Sequence, residues 1–155
     1  MNRPDQAGSD RIERDRQTLR EYPAPAGISL RFWIEDDFPV VQALSTAEGW
    51  TTPRERPAES LAAWHASWPA IIAEADRQVV GFLRAISDGA VTTYVAGLLI
   101  APAWRGRGVG RALLGACQEL VPSTRLDLLS EPDAIDFYTR LDFRPAAGFR
   151  RSRLI

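Results

Sequence analysis

Residues 104–114 read WRGRGVGRALL, arginines alternating with three glycines before the chain turns apolar. Glycine in a helix costs about 1 kcal/mol relative to alanine, so Gly106, Gly108 and Gly110 at the head of a helical pattern call for a compensating role. The natural one is bare backbone: amides that approach an anion closely at the positive end of a helix dipole. Phosphate fits that chemistry. Two familiar phosphate loops do not fit the residues. A Walker A loop needs lysine, and all 19 basic side chains here are arginine. A dinucleotide fingerprint needs G-x-G-x-x-G, whereas these glycines are spaced evenly by two, and Asp127 and Glu131 lie past a strand that starts too late.

Few other side chains offer chemistry. Cys117 is the one cysteine and His65 the one histidine, which leaves no disulfide and no zinc constellation. Cys117 falls on the apolar helical stripe Val109, Ala112, Leu113, Ala116, Cys117, Leu120, the position of an inert core thiol. His65, beside Trp64, reads as a structural or surface residue. Tyr138 lies on the stripe Ala134, Phe137, Tyr138, Leu141, so its hydroxyl faces the fold, where a buried O–H needs a partner.

The elements that must hold these residues follow from periodicity and turn chemistry. With 155 residues, 45% of them apolar, and a net charge of −1, the chain has the size of one globular domain. Residues 1–26 alternate charges and end in Pro-Ala-Pro, which predicts a flexible tail, with room for a short helix, ahead of a domain over 27–155. A strand is expected over Ile28 to Ile34, then a helix capped at Asp36 or Asp37 and running to Ala47. A second helix opens at Pro57. Strands are expected next over Ala70 to Ala75, Gln78 to Ser87 and Val91 to Ile100, with Asp88-Gly89 as a hairpin turn. The glycine loop starts a helix to Leu120, Arg125 to Leu129 is a strand, and Pro132 opens a helix to Leu141. Two further strands are expected after Phe143, turning at Gly148. No apolar run approaches the roughly 20 residues of a membrane span, and the polar start lacks a signal peptide, so a cytoplasmic location without membrane partners is expected.

Arg105-x-x-Gly108-x-Gly110 between an apolar strand and a helix, followed by a strand and then Ala134-Ile135-Asp136-Phe137-Tyr138 through Asp142-Phe143, resembles the GNAT superfamily of N-acetyltransferases. The resemblance covers about residues 28–152. It implies an α/β (α+β) fold: a single domain with a mixed, mostly antiparallel sheet, a splayed central strand and about four flanking helices. It implies acetyl-CoA as co-substrate, with no metal, held by the cradle Arg105, Gly106, Arg107, Gly108, Val109, Gly110 and Arg111. The strand edge at Leu98, Leu99 and Ile100 would pair with the pantetheine arm. By the same resemblance Tyr138 protonates the departing thiolate. The acceptor, a small-molecule or peptide amine, would be lined by Trp33, Trp50, Thr51, Trp64, Phe82 and Arg84. Tryptophans favour an apolar or cationic amine, whereas an inward Arg84 favours one that also bears a carboxylate. A homodimer through the C-terminal strands belongs to the same expectation.

Three departures from the pattern stand out. Glu131 replaces a frequent asparagine, and Asp142 replaces a glycine where left-handed backbone is expected. The segment Tyr94-Val95-Ala96-Gly97-Leu98 carries no carboxylate to take the amine's proton. Glu48, Asp88 and Glu131 are the nearest acids by element, and none is assigned as base. A catalytically weak or inactive acyl-CoA-binding module is therefore the alternative. The arginines at 144, 150, 151 and 153 could suggest nucleic acid, but the overall charge balance argues against it.

Overall fold

The computed structural model describes residues 4–152. Eleven elements succeed one another: α1 (Pro4–Glu21), β1 (Ser29–Phe32), α2 (Phe38–Ala47), α3 (Thr52–Glu55), α4 (Pro57–His65), β2 (Ala70–Ala75), β3 (Gln78–Ser87), β4 (Thr92–Ile100), α5 (Val109–Leu120), β5 (Arg125–Leu128) and α6 (Ile135–Arg140). The five strands form one sheet in sequence order. β1 to β4 pair antiparallel, while β4 and β5 run parallel. A crossover through α5 is what permits that last pairing. No described helix is long and apolar enough to cross a membrane.

Alternation along the strands divides the core into two layers. Ile71, Ala73, Leu83, Ala85 and Val95 face α5 and the end of α1. Ala70, Ile72, Phe82 and Leu99 face α2 and α4, together with Phe38, Val41 and Trp64. Inward Ile, Leu and Phe on both faces make β2 and β3 near-continuous apolar runs, as expected of strands covered on both sides.

The segment expected as a flexible tail with room for a short helix is helical over the whole of Pro4–Glu21. Its charges pair along the helix, Arg11 with Asp15 and Arg16 and Arg20 with Glu13, which is how so polar a stretch becomes helical. The contact that docks it lies at its end: Leu19 is 1% exposed in the α5-facing core. Tyr22 then packs so closely on α5 that a Cβ at Gly115 would fall 1.8 Å from its hydroxyl oxygen. Gly115→Ala, which in a free helix would gain about 1 kcal/mol, is here expected to lower stability by about 1–2 kcal/mol through overpacking. A reduced melting temperature, with earlier proteolytic cutting in the 22–28 linker, is the readout.

The two strands expected beyond Phe143 do not form among the described residues, which carry no regular structure from 143 to 152. Arg-Pro-Ala-Ala-Gly offers little side chain to bury and one missing amide, and Phe149 is 99% exposed. The homodimer expected through those strands loses that basis. Arg153 lies outside the described residues. The helices number six rather than about four, because α1 is added and the turn at α3 stands apart from α4.

At the other end of the sheet a buried hydroxyl chain ties β4 to β5. Ser87 Oγ and Thr93 Oγ1 are 2.7 Å apart, Thr93 Oγ1 and Thr124 Oγ1 also 2.7 Å, and Thr124 donates to the Val121 carbonyl. The parallel pair is pinned there, and everything beyond it is free to diverge.

Candidate active site

β4 and β5 pair only over Thr92–Val95 and Arg125–Leu128, leaving 96–100 without a partner on that side. On its other side β4 carries a bulge. Arg84 pairs with Gly97 and Ala85 with Val95, so Ala96 is the extra residue. A bulge bends its strand and re-aims the side chains beyond it. The resulting divergence opens a cavity of about 760 Å³ lined by the β4 edge, the glycine loop, the α2–α3 loop and α6. Of the expected residues, Leu98, Leu99, Ile100, Arg105, Gly106, Gly110, Trp50, Thr51 and Tyr138 all line it.

The glycine loop has the backbone its sequence requires. Gly106 (φ 71°) and Gly108 (φ 83°) are both left-handed, and Gly108 caps α5. The Gly108 carbonyl accepts from Ala112, so the amides of Val109, Gly110 and Arg111 lie ahead of the first intrahelical bond, at the positive end of a 12-residue helix. A Cβ at Gly106 would meet nothing within 4 Å, whereas one at Gly110 would press to 3.0 Å from Phe137 Cζ. The first glycine leaves open space, and the third lets α5 seat against α6.

The arginines of the loop have other occupations. Arg105 donates from Nε to the Ile100 carbonyl at 2.9 Å and pairs through its guanidinium with Glu48. Arg107 lies over Trp104, 4.8 Å from the ring centroid, and Arg111 is exposed. Arg107, Gly108, Val109 and Arg111 do not line the cavity, and the Val109 side chain is core. Glu48, one of the acids near the site by element, is thus engaged, and a pairing across 57 positions leaves no trace in sequence. Asp88 is also committed: its Oδ1 accepts the amides of Ala90, Val91 and Thr92 at 2.7–3.0 Å, which hold its carboxyl below the ordinary range. Glu131 and Asp133 do line the cavity.

Tyr138 is positioned by aromatic neighbours. Its ring meets Phe137 at 5.0 Å and Phe143 at 5.5 Å, both edge-on. Asp142 takes the left-handed backbone (φ 64°) expected of it, and the turn closes with the Phe143 amide on the Tyr138 carbonyl at 3.1 Å. Burial pushes the Tyr138 hydroxyl above the ordinary tyrosine range, so it stays protonated. Cys117 is fully buried and its thiol is pushed up to about 12 by burial, the opposite of an activated nucleophile.

A second cavity of about 380 Å³ lies under α2 and α4, lined by Trp50, Trp64, Phe82 and Arg84 among others. It shares Trp50, Thr52, Ala96 and Gly97 with the first, so the two meet at the bulge. Trp33 lines neither. It stacks on Trp64 at 5.2 Å and on His65 at 5.0 Å, and His65 in turn reaches Glu35 at 2.7 Å. Trp104, Phe137 and Arg150 line the larger cavity without being expected there; Trp104 and Phe137 fall inside the two motifs, a sequence signal that could flag them, and Arg150 carries none.

Known proteins share this fold. A family model described as the acetyltransferase (GNAT) domain matches residues 66–145, just over half of the chain. A mycothiol acetyltransferase of Cellulomonas flavigena is 34% identical over 87 residues, 54% of this chain and 23% of that protein. The chain spans less than half the length of the curated relatives it matches. A crystal structure from Deinococcus radiodurans R1, held to be an acetyltransferase, superposes with a TM-score of 0.67 at 27% identity, covering 84% of this chain and 92% of that one. The PaiA N-acetyltransferase of Thermoplasma acidophilum, solved in complex with coenzyme A, has a TM-score of 0.57 at 14% identity, over 74% of this chain and 87% of that one. With the splayed strand, the glycine-capped helix and the family model in agreement, the chain belongs to the GNAT family of acetyltransferases.

Proposed function

We propose that the protein transfers an acetyl group from acetyl-CoA to a primary amine by direct attack, without a covalent enzyme intermediate. One observation carries this reading: a single cavity joins an unpaired strand edge, Gly106 and Gly110 of the loop that starts α5, and a protonated tyrosine. The residues fit the co-substrate. Amides at the start of α5 suit a pyrophosphate, open space at Gly106 admits it, and the free edge of 98–100 can pair with an amide-bearing arm as a strand would. The co-substrate supplies the thioester that is cleaved.

The protein's own residues then have separate tasks. The β4 edge at the bulge can offer an amide to the oxygen on which charge develops. Tyr138 gives its proton to the departing thiolate, whose pKa near 8.5 makes it a modest leaving group without an acid. The amine must lose a proton before or during attack, and Glu131 and Asp133, which line the cavity and have no ion pair among the described residues, are candidates to take it directly or through water. Cys117, being buried and un-ionised, has no part.

A binding module without turnover is the second reading, favoured by the absence of a carboxylate on β4 and the prior engagement of Glu48 and Asp88. Calorimetric titration with acetyl-CoA tests the first step. Gly106→Asn keeps a residue that tolerates left-handed backbone, whereas Gly106→Glu adds bulk and negative charge where the loop lines the cavity. We expect binding in the native and Asn forms and at least about tenfold weaker binding in the Glu form. Thiol release with any amine then removes the second reading, and no acetyl-CoA binding by the native chain removes both.

A further inference from the structure

The smaller cavity contains one charge that no described carboxylate balances. Arg84 is half-buried on β3, directly opposite Gly97 on β4, and both lie on the face that α2 and α4 cover. No carboxylate among the described residues pairs with it within 4.0 Å, unlike Arg31, Arg56, Arg105 and Arg125. Its protein hydrogen bond among the described residues is from Nη1 to Ser67 Oγ at 3.0 Å, and Ser67 donates its own hydrogen to the Ala63 carbonyl at 2.6 Å. That leaves most of a guanidinium's five N–H donors for something else.

The surroundings define what that something is. Gly97 opposite Arg84 has open space, since a Cβ there would meet only Phe82, at 3.8 Å. The walls are aromatic, Trp50, Trp64 and Phe82, and the exposed Arg56 and Glu59 at the rim neutralise each other at 3.2 Å. A cation desolvated beside apolar walls is unfavourable unless an anion completes it, and a carboxylate meets a guanidinium in a bidentate fork. Burial also lowers the Arg84 pKa, the mark of a charge without its counter-ion. Because Arg84 faces the strand at the bulge where the two cavities join, an anion held there sits within one small molecule's length of the β4 edge.

We propose that Arg84 is a specificity-determining residue that binds a carboxylate of the amine acceptor, so that the acceptor class is a small amino acid with a free carboxylate and an apolar or aromatic side chain. This rests on the acetyl-transfer reading for the amine's role, though not for the binding of the carboxylate. Peptide N-termini, whose first carboxylate is replaced by an amide, are disfavoured by the same geometry.

The test compares L-leucine, L-methionine and L-phenylalanine with their amides, on the native protein, Arg84→Gln and Arg84→Lys. Binding is followed by the fluorescence of Trp50 and Trp64, and turnover by thiol release from acetyl-CoA, with circular dichroism to check that each variant folds. The expected result is a preference for acid over amide of at least about tenfold in the native protein. Arg84→Gln should remove that preference, the acid losing about tenfold more than its amide, and Arg84→Lys should retain part of it. Equal binding of acid and amide across the panel, no binding of any acid, or equal weakening of both by Arg84→Gln would overturn the proposal. Acid-selective binding by a protein that does not bind acetyl-CoA would leave Arg84 in its role and remove acetyl transfer. Amide turnover without acid selectivity would do the reverse.

Discussion

Tyr138→Phe is expected to lower kcat for amine acetylation by about 100- to 10,000-fold, the range attributed to a positioned general acid, while acetyl-CoA affinity changes little. The substitution removes one oxygen and leaves the ring seated between Phe137 and Phe143, so packing is preserved and chemistry is isolated. Its pH dependence separates an acid from a packing residue. Burial raises the hydroxyl's pKa, so the proton is present throughout the neutral range and is lost only above the ordinary tyrosine value of about 10. The native enzyme should therefore lose kcat on the alkaline side at a higher pH than an exposed tyrosine would dictate, and the phenylalanine variant should lack that limb. A profile with an unchanged alkaline limb in Tyr138→Phe, or a kcat within a few fold of native, would assign the proton to another group.

The second large effect concerns the anchoring of the acceptor side. Asp37, 7% exposed, accepts both arms of the Arg31 guanidinium at 2.8 Å and the Ile34 amide at 2.9 Å, and Arg31 also reaches Glu74 on β2 at 2.7 Å. This cluster joins β1, β2 and the turn that launches α2. Burial works against the Asp37 charge, but the Arg31 guanidinium and the Ile34 amide outweigh it, so its carboxyl titrates below the ordinary value. Removing the partner of a buried charge costs up to about 3–5 kcal/mol. With Arg31 still 31% exposed, Asp37→Ala is expected to cost about 2–3 kcal/mol in urea unfolding. Because the folded pKa is depressed, the stabilisation is present above the unfolded value near 3.9 and fades as pH falls through the folded one. The gap between native and Asp37→Asn proteins should be wide at neutral pH and close below about pH 4. A gap independent of pH would mean that packing, not charge, holds this corner.

Legibility in the chain depends on which contacts are local. β2 and β3 begin and end where their apolar runs predict, and Asp88-Gly89 turns the hairpin, because adjacent residues carry both signals. The glycine loop and Tyr138 are legible as residue types at fixed spacing, and the structure brings them to one cavity. The length and docking of the N-terminal helix are not legible. Its exposed length is polar, and it is fixed by a contact between Tyr22 and Gly115, far apart in sequence. The Arg105–Glu48 and Arg31–Glu74 pairs escape for the same reason. At the C-terminus the error runs the other way: the turn signal at Gly148 suggests two strands, but Pro145, Ala146, Ala147 and Gly148 provide little to bury. Trp33 shows the limit of composition, since an aromatic near the acceptor side in sequence turns its ring toward Trp64 and His65.

β4 itself conceals the most, and the reason is arithmetic. Thr93 and Val95 point to the α5 face, yet Gly97 and Leu99, the next odd positions, belong to the opposite face with Arg84 and Phe82, because Ala96 is counted once on this strand and not at all on its neighbour. Such a strand tolerates rewriting far better than editing of its length. Exchange of one side chain for another leaves the parity alone, whereas loss or gain of a single residue would carry every side chain on one flank of Ala96 to the wrong face. Among homologues, variation in β4 should accordingly take the form of substitutions, with insertions and deletions displaced into the loops on either side.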